Sequence, residues 1–270
     1  MKATTQWIID VMEEWAPSRW AVESDNVGLL IGDRSRPVCR VLTALDLSGD
    51  VLREAVQGRF DFVITHHPLI SRHVPPINSI TADNSLGKKI MTLIGNRIGL
   101  FCAHTNLDAA PGGVNDLLFD LLGLEDRENL ILTENSDSPT MGLVGNFSQD
   151  VTLSELARHV ADVLGLNSAR FVGNADKHVH KIGLCSGNGS SLIKYALAKK
   201  CDVFITGDIS YHTALDVLET GMCMIDATHY ASEIPIAEAI SSRVKKAATD
   251  AGIELIVQCS QVNGQVFKTI

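Results

Sequence analysis

The sequence predicts an α/β protein made of two related half-domains with mixed or parallel sheets. Short apolar runs alternate with amphipathic helical segments, and one strand-helix-strand pattern occurs twice. The chain has 270 residues, of which 45% are hydrophobic, so it can bury two modest cores. We place the first domain at residues 1–133, completed by 225–270, and the second domain at 134–224.

The first half opens with an amphipathic helix and continues with a strand-helix-strand unit. The helix is indicated by helical spacing of apolar residues from Trp7 to Trp15. Residues 38–48 then form a buried strand, 50–58 a short helix ending at a glycine, and 60–65 a second strand. Such a unit favours parallel pairing through a right-handed crossover.

The same unit returns at an offset of 141 residues without a gap. Positions that correspond include Val41 and Ile182, Asp61 and Asp202, and Thr65 and Thr206. Each copy is followed by another apolar run and then by a histidine four residues before a carboxylate. We therefore expect two duplicated half-domains that face each other and share a scaffold.

A polar stretch, Glu134–Pro139, is the predicted linker between the halves. A strand over Met141–Phe147 follows it. Thr152 and Glu155 then match a capping box, which predicts a helix from this point.

Composition excludes several classes of protein. The net charge of −9 argues against electrostatic binding of nucleic acid over most of the surface. Six scattered cysteines without a Cys-x-x-Cys pair indicate a reduced, cytoplasmic setting. The N-terminal helix carries acidic residues unlike a secretory signal, and no uncharged apolar stretch reaches the ~18 residues of a membrane span.

Three histidine clusters carry the chemistry. His66 and His67 end one apolar run, and the pairs His104 with Asp108 and His229 with Glu233 follow two others. Imidazole nitrogen and carboxylate oxygen suit zinc, iron(II) or manganese, and a carboxylate can bridge two ions. The pattern predicts two divalent ions held by His66, His67, Asp108, His229 and Glu233, with His104 as a sixth participant.

Each cluster also has a purely structural interpretation. His66 and His67 are compatible with two surface histidines at a strand end. Asp108 precedes Pro111 and two glycines, a composition typical of a tight turn. Glu233 is placed to cap a helix. The three structural interpretations together are less economical than one metal centre.

Other polar residues give weaker signals. Asp208 replaces His67 in the second copy, so with His104 it is a candidate for proton transfer or for contact with ligand residues; the alternative is a helix cap. His212 falls in the same segment. Lys177, His178 and His180 form a cationic cluster before a strand, for which solvation is the simpler interpretation. The stretch 187–191 is glycine-rich but lacks the lysine of a P-loop, so we interpret it as a turn.

Taken together, the motifs resemble the Nif-three-like family, whose members are also labelled GTP cyclohydrolase I type-two homologues. The resemblance spans nearly the whole chain. The motifs that carry it, in order, are Asp25-Asn26-Val27-Gly28-Leu29, Thr65-His66-His67-Pro68, His104-Thr105-Asn106-Leu107-Asp108 with Gly113-x-Asn115, Thr206-Gly207-Asp208 and His229-Tyr230-x-x-Glu233.

The resemblance implies a two-domain α/β subunit in a toroidal homohexamer, with a dinuclear metal centre in the cleft between the domains. It implies the same metal ligands, His66, His67, Asp108, His229 and Glu233. Some members of this family carry an inserted domain in mid-chain, for which this chain is too short, so functions tied to that insert are not transferred.

Two functions are compatible with such a centre. The first is a metal-dependent hydrolase acting on a nucleotide-like substrate, in which hydroxide would attack C8 of a purine ring. The alternative is a non-catalytic protein that traffics metal or regulates a partner. The sequence contains no obvious nucleophile and no clear triphosphate pocket, so it leaves enzymatic activity undecided.

Overall fold

The computed structural model describes residues 2–71, 77–131 and 141–268. The chain divides into two compact units, Met1–Ala110 with Ile236–Gly264, and Pro111–Pro235 with the residues from Gln265 onward. The predicted linker Glu134–Pro139 lies outside the described residues. Within the described ranges, no helix has the length and hydrophobicity that crossing a membrane requires.

Strands and helices alternate along both units. The elements are, in chain order, β1 (Ala3–Thr4), α1 (Thr5–Trp15), β2 (Gly28–Ile31), β3 (Pro37–Val38), β4 (Arg40–Ala44), α2 (Gly49–Gln57), β5 (Phe62–Thr65), α3 (Ser85–Gly95), β6 (Gly99–Cys102), α4 (Thr105–Ala109), α5 (Val114–Leu121), β7 (Glu125–Asn129), β8 (Leu143–Thr152), α6 (Leu153–Val163), β9 (Arg170–Val172), β10 (His178–Leu184), α7 (Ile193–Ala198), β11 (Val203–Thr206), α8 (Tyr211–Thr220), β12 (Cys223–Asp226), α9 (His229–Glu233), α10 (Pro235–Asp250) and β13 (Ile256–Cys259).

The first unit is organised around a five-stranded sheet of order β13-β4-β5-β6-β2. The first four strands are parallel, and β2 pairs with β6 in the antiparallel sense. All residues of β5 and β6 are buried, as expected for central strands of a parallel sheet covered on both faces. The carboxyl ends of β4, β5 and β6 therefore meet at one edge of this sheet.

The second unit is organised around a six-stranded sheet of order β7-β8-β10-β11-β12-β9. Its centre, β10-β11-β12, is parallel, while β8 and β9 pair in the antiparallel sense. The predicted capping box is confirmed, since Thr152 accepts from the Glu155 N–H and the Glu155 carboxylate accepts from the Thr152 N–H. The prediction of an α/β fold with mixed sheets is thus confirmed.

The internal repeat predicted from the sequence is confirmed by the register of the strands. In the first unit Val41 pairs with Phe62, and in the second unit Ile182 pairs with Val203, which are the positions 141 residues later. Arg59 lies in the connection from α2 to β5, and the corresponding Lys200 lies in the connection from α7 to β11. Both have a positive φ, 51° for Arg59 and 56° for Lys200. The two copies of the strand-helix-strand unit therefore follow the same backbone course.

One aspartate anchors the start of each repeated unit. The Asp61 carboxylate accepts from the backbone N–H groups of Cys39 and Arg40, at 2.8 and 3.0 Å. The Asp202 carboxylate accepts from His180 and Lys181 N–H, at 3.0 and 2.8 Å. Because a carboxylate that accepts two N–H groups makes charge-assisted bonds, each aspartate ties the first strand to the second.

Asp202→Ala is expected to destabilise the protein by about 1–2 kcal/mol, because two backbone donors lose a charged acceptor and regain only water. Asp61→Ala is expected to cost a similar amount, since it loses the same two backbone bonds and its 3.9 Å contact with Arg36 is weak. Urea denaturation measures both. Asp216→Ala on the exposed face of α8 is the control, with an effect within about 0.5 kcal/mol. If Asp202→Ala and Asp61→Ala both changed the free energy of unfolding by no more than the Asp216→Ala control does, the two aspartates would not anchor the strands.

Candidate metal centre

Four of the predicted donors in the first unit lie at the carboxyl edge of its sheet. His66 and His67 directly follow β5, and their N–H groups donate to the carbonyls of Ala44 and Leu45, at 3.3 and 2.9 Å. These bonds extend the parallel pairing of β4 and β5 beyond the last strand residue. The histidine pair is therefore held by the sheet itself rather than by a loose loop.

The three imidazoles of this unit form one cluster. The ring centroids of His66, His67 and His104 lie 5.0 to 5.5 Å apart, and one ring nitrogen of each lies within 4.8 Å of the others. The Nε2 atom of His66 is 3.4 Å from a carboxylate oxygen of Asp108 on α4. His66 is completely buried and Asp108 is 8% exposed. His104, predicted as a sixth participant, belongs to this cluster.

Each imidazole of the cluster is oriented through its Nδ1 atom. That atom lies 2.9 Å from the Ala103 carbonyl in His66, 2.9 Å from the Asp46 carboxylate in His67 and 2.9 Å from the Asp25 carboxylate in His104. All three partners are acceptors, so Nδ1 carries the proton and Nε2 presents a lone pair. Histidines that bind metal through Nε2 adopt this tautomer.

Asp25 is a site residue that sequence reasoning did not assign. One of its oxygens accepts from the imidazole of His104 and from the N–H and O–H of Thr105, at 2.9, 3.1 and 2.5 Å. Burial raises the pKa of Asp25, but the hydrogen bonds from His104 and Thr105 outweigh it and hold the pKa well below its usual range. The signal in the sequence was the motif Asp25-Asn26-Val27-Gly28. It contributed to the family resemblance, but no role was assigned to Asp25.

Asp25→Ala is expected to lower the stability of the metal-free protein by about 1–3 kcal/mol at neutral pH, because Thr105 and His104 lose their acceptor. Since the folded pKa of Asp25 is lowered, its contribution is complete above the unfolded pKa of about 3.9 and is lost as the pH falls below it. Urea unfolding of both proteins between about pH 3 and pH 7 measures the difference. A stability difference independent of pH would contradict this assignment.

The thiol of Cys102 lies next to this cluster and is hydrogen-bonded to the backbone. Its sulfur donates to the carbonyl of His66 at 3.0 Å. Burial raises the pKa of Cys102, and the carboxylates of Asp25 and Asp108 raise it further. Cys102 is not in the groups of the described residues that could hold an ion, so the candidate donors of this unit are nitrogen and oxygen.

The predicted donors His229 and Glu233 lie in the second unit, at the carboxyl edge of its own sheet. Both are on the short helix α9, which follows β12. The Nε2 atom of His229 lies 3.1 Å from the Glu233 carboxylate, which is 4% exposed. The Nδ1 atom of His229 lies 2.7 Å from the Asp208 carboxylate, so Asp208 orients this imidazole as Asp25 orients His104.

The histidine of the second copy comes one residue later, because Thr228 takes the place that His104 has in the first copy. In the first copy His104 is itself the N-cap of α4, whereas here Thr228 is the N-cap and His229 is the first helical residue. Thr228 has a φ of 57°, which is strained for a β-branched residue, and its side chain accepts from the Ala231 N–H. The second histidine therefore lies in the first turn of its helix rather than at the N-cap.

Gly187 makes room for the Glu233 carboxylate. A Cβ at Gly187 would lie 2.1 Å from Glu233 Oε1, and the φ of this glycine is +58°. The corresponding position of the first copy, 141 residues earlier, is Asp46, whose carboxylate contacts His67. The first copy therefore has a carboxylate side chain where the second copy has none.

The glycine-rich stretch that begins at Gly187 is a turn, in agreement with the sequence interpretation. Its N–H groups are used internally: Gly187 donates to the Ser232 hydroxyl, Gly189 to the Thr206 hydroxyl and Ser190 to the Asn188 side chain. These bonds leave the backbone without the convergent donors of a phosphate cradle.

The cationic cluster before β10 is engaged with residues of that same end of the sheet. Lys177 donates to the carbonyl of Gly221, and the imidazole of His178 lies 2.7 Å from Asp150. Both lie at the amino end of β10, at the opposite end of the strand from Gly187. His212 is exposed on the first turn of α8, where its ring contacts Tyr211.

The two units thus define an α/β protein whose sheets carry histidine and carboxylate clusters that could hold a metal ion. The chain belongs to the Duf34/NIF3 (NGG1p interacting factor 3) family, whose model matches residues 3–264. The resemblance inferred from the motifs is therefore confirmed.

Relatives and solved structures agree with this assignment. The chain is 34% identical over 263 residues to a GTP cyclohydrolase 1 type 2 homolog of Clostridium acetobutylicum, with 97% of each chain covered. It is similar to a Bacillus cereus protein related to NIF3, with a TM-score of 0.92, 25% identity and coverage of 100% and 99%. It is also similar to reduced HcgD from Methanocaldococcus jannaschii, with a TM-score of 0.78, 31% identity and coverage of 97% and 99%.

Proposed function

We propose that this protein is a metal-dependent hydrolase that acts on a nucleotide-like substrate with two divalent ions. The ions would be held by His66, His67, Asp108, His229 and Glu233. One observation carries the proposal: the Nδ1 atom of each histidine in this set lies against an oxygen acceptor, so each Nε2 atom is presented as a donor to metal.

The donor set fits a divalent ion. In each unit an imidazole Nε2 lies beside a buried carboxylate, at 3.4 Å for His66 and Asp108 and at 3.1 Å for His229 and Glu233. Burying a carboxylate is costly unless a positive charge accompanies it, and a divalent ion supplies that charge. Nitrogen and oxygen donors without thiolate suit zinc, iron(II) or manganese.

The residues around the donors fit hydrolysis. When bound, two divalent ions would supply hydroxide at neutral pH and would stabilise the charge that develops on the substrate. His104 is oriented by Asp25 so that its Nε2 atom accepts a proton, and Asp208 holds the imidazole of His229. The relatives named GTP cyclohydrolase 1 type 2 homolog support a nucleotide as the substrate class.

Metal content and activity of one sample test this function. Protein purified without an affinity tag is expected to contain close to two divalent ions per chain by elemental analysis. The same sample is then offered a panel of GTP, other nucleotides, phosphoesters and amides, and hydrolysis of at least one nucleotide is expected, with the chelated protein as the blank. Stable metal content without turnover of any compound would reject the hydrolase and leave a metal-binding protein.

We also propose that the protein is a homohexamer, as the family resemblance implies. Sedimentation velocity of the metal-loaded protein measures its mass in solution. A monomer or dimer at micromolar concentration would reject this part of the proposal without affecting the metal centre.

A further inference from the structure

Ser232 links two backbone segments that surround the donors of the second unit. Its hydroxyl donates to the carbonyl of His229 at 2.9 Å and accepts from the N–H of Gly187 at 3.0 Å. Ser232 is 2% exposed, so water does not compete for these bonds. A single buried hydroxyl therefore connects the residue that carries one donor with the glycine that accommodates Glu233.

The repeat shows that this link is particular to the second unit. Counted from the N-cap of each short helix, the fourth residue is Asp108 after His104 and Ser232 after Thr228, so the first copy has no hydroxyl at this position. The position of Gly187 is taken by Asp46 in the first copy. A buried hydroxyl is unfavourable unless it is hydrogen-bonded. The presence of both Ser232 and Gly187 in the second copy therefore indicates a specific hydrogen bond rather than a side chain that only occupies space.

The backbone groups next to this contact are also hydrogen-bonded. The Gly187 carbonyl accepts from the Gly207 N–H at 2.7 Å, and a Cβ at Gly207 would lie 2.5 Å from the backbone nitrogen of His229. The Ser186 N–H donates to the side chain of Asn115 at 2.9 Å. The segment at Gly187 is thus fixed on both sides, so a shift of Ser232 would be transmitted to α9 and not to the turn.

We propose that Ser232 is a positioning residue, which holds the backbone of His229 and the side chain of Glu233 at the separation that a divalent ion requires. It acts through Gly187 and does not itself contact the ion. This inference rests on the proposed function only in requiring that an ion binds to His229 and Glu233, and hydrolysis is not needed to test it. A serine that merely bonded its own helix would contact His229 but not Gly187.

Cobalt(II) binding tests the inference, because the visible absorption of bound Co²⁺ reports both affinity and coordination geometry. In the full chain, Ser232→Ala is expected to weaken binding at the affected ion about 10-fold and to change its absorption band, as loss of an outer contact to a ligand typically does. Ser232→Thr keeps the hydroxyl and is expected to restore both. Chemical denaturation of the metal-free variants measures any general loss of stability separately.

Ser186→Ala is the matched control. Ser186 is 5% exposed, lies next to Gly187, and its Oγ atom has no hydrogen-bond partner within the described residues, so its removal is expected to leave Co²⁺ binding unchanged. Wild-type affinity and spectrum in Ser232→Ala would overturn the inference alone, as would Ser232→Thr behaving like Ser232→Ala. Absence of Co²⁺ binding by the wild-type chain would overturn both this inference and the proposed metal centre.

Discussion

His66→Asn is expected to lower divalent-metal affinity by at least about 100-fold, more than the 10- to 100-fold typical of residues that only orient a ligand. The side-chain amide of asparagine can still donate to the Ala103 carbonyl, as Nδ1 of His66 does at 2.9 Å, but it has no atom at the position of Nε2. The variant therefore removes the donor and preserves the buried hydrogen bond. Calorimetric titration with Zn²⁺ or Mn²⁺ and elemental analysis measure the loss.

The matched control for this variant is His180→Asn, because His180 is exposed on β10. It is expected to bind metal like the wild type. The unfolding midpoint of metal-free His66→Asn is expected to stay close to that of the wild type. If His66→Asn retained the full metal content at unchanged affinity, His66 would be a structural histidine and the first-unit part of the ligand set would be wrong.

Gly187→Ala is expected to weaken metal binding 10- to 100-fold, because its Cβ would lie 2.1 Å from Glu233 Oε1. Glu233 can relieve this clash only by moving its carboxylate, so the effect falls on metal affinity more than on folding. The positive φ of +58° adds a strain of about 1 kcal/mol for alanine. Metal titration and urea denaturation of the same variant separate the two effects.

Gly165→Ala isolates the strain from the clash. Gly165 has a φ of +65° in the same unit, and a Cβ there would meet no atom within 4 Å. It is expected to lose about 1 kcal/mol of stability and no metal affinity. In the double variant Gly187→Ala with Glu233→Asp, the shorter side chain is expected to recover part of the metal affinity. Equal metal affinity in the two single glycine variants would show that Glu233 is not a ligand.

The sequence predicted the scaffold because its signals are local or periodic. The apolar run Phe62–Thr65 and its counterpart Val203–Thr206 are buried strands, and the offset of 141 residues is reproduced in strand register. The family assignment was also available from ordered motifs. The position of a histidine just after a predicted strand was sufficient to select His66, His67 and His229 as candidate metal ligands. The reason is that parallel strands place their carboxyl ends at one edge of the sheet.

The sequence alone determined the α/β class, the duplicated unit and the residue types able to bind metal. Only the tertiary structure decided which side chains orient those residues, because Asp25 and His104 are 79 positions apart and Asp208 and His229 are 21 apart. It also decided that Gly187 provides space for Glu233. Periodicity reports which face of an element is buried, whereas a hydrogen bond or a clash between distant residues depends on coordinates that no local pattern contains.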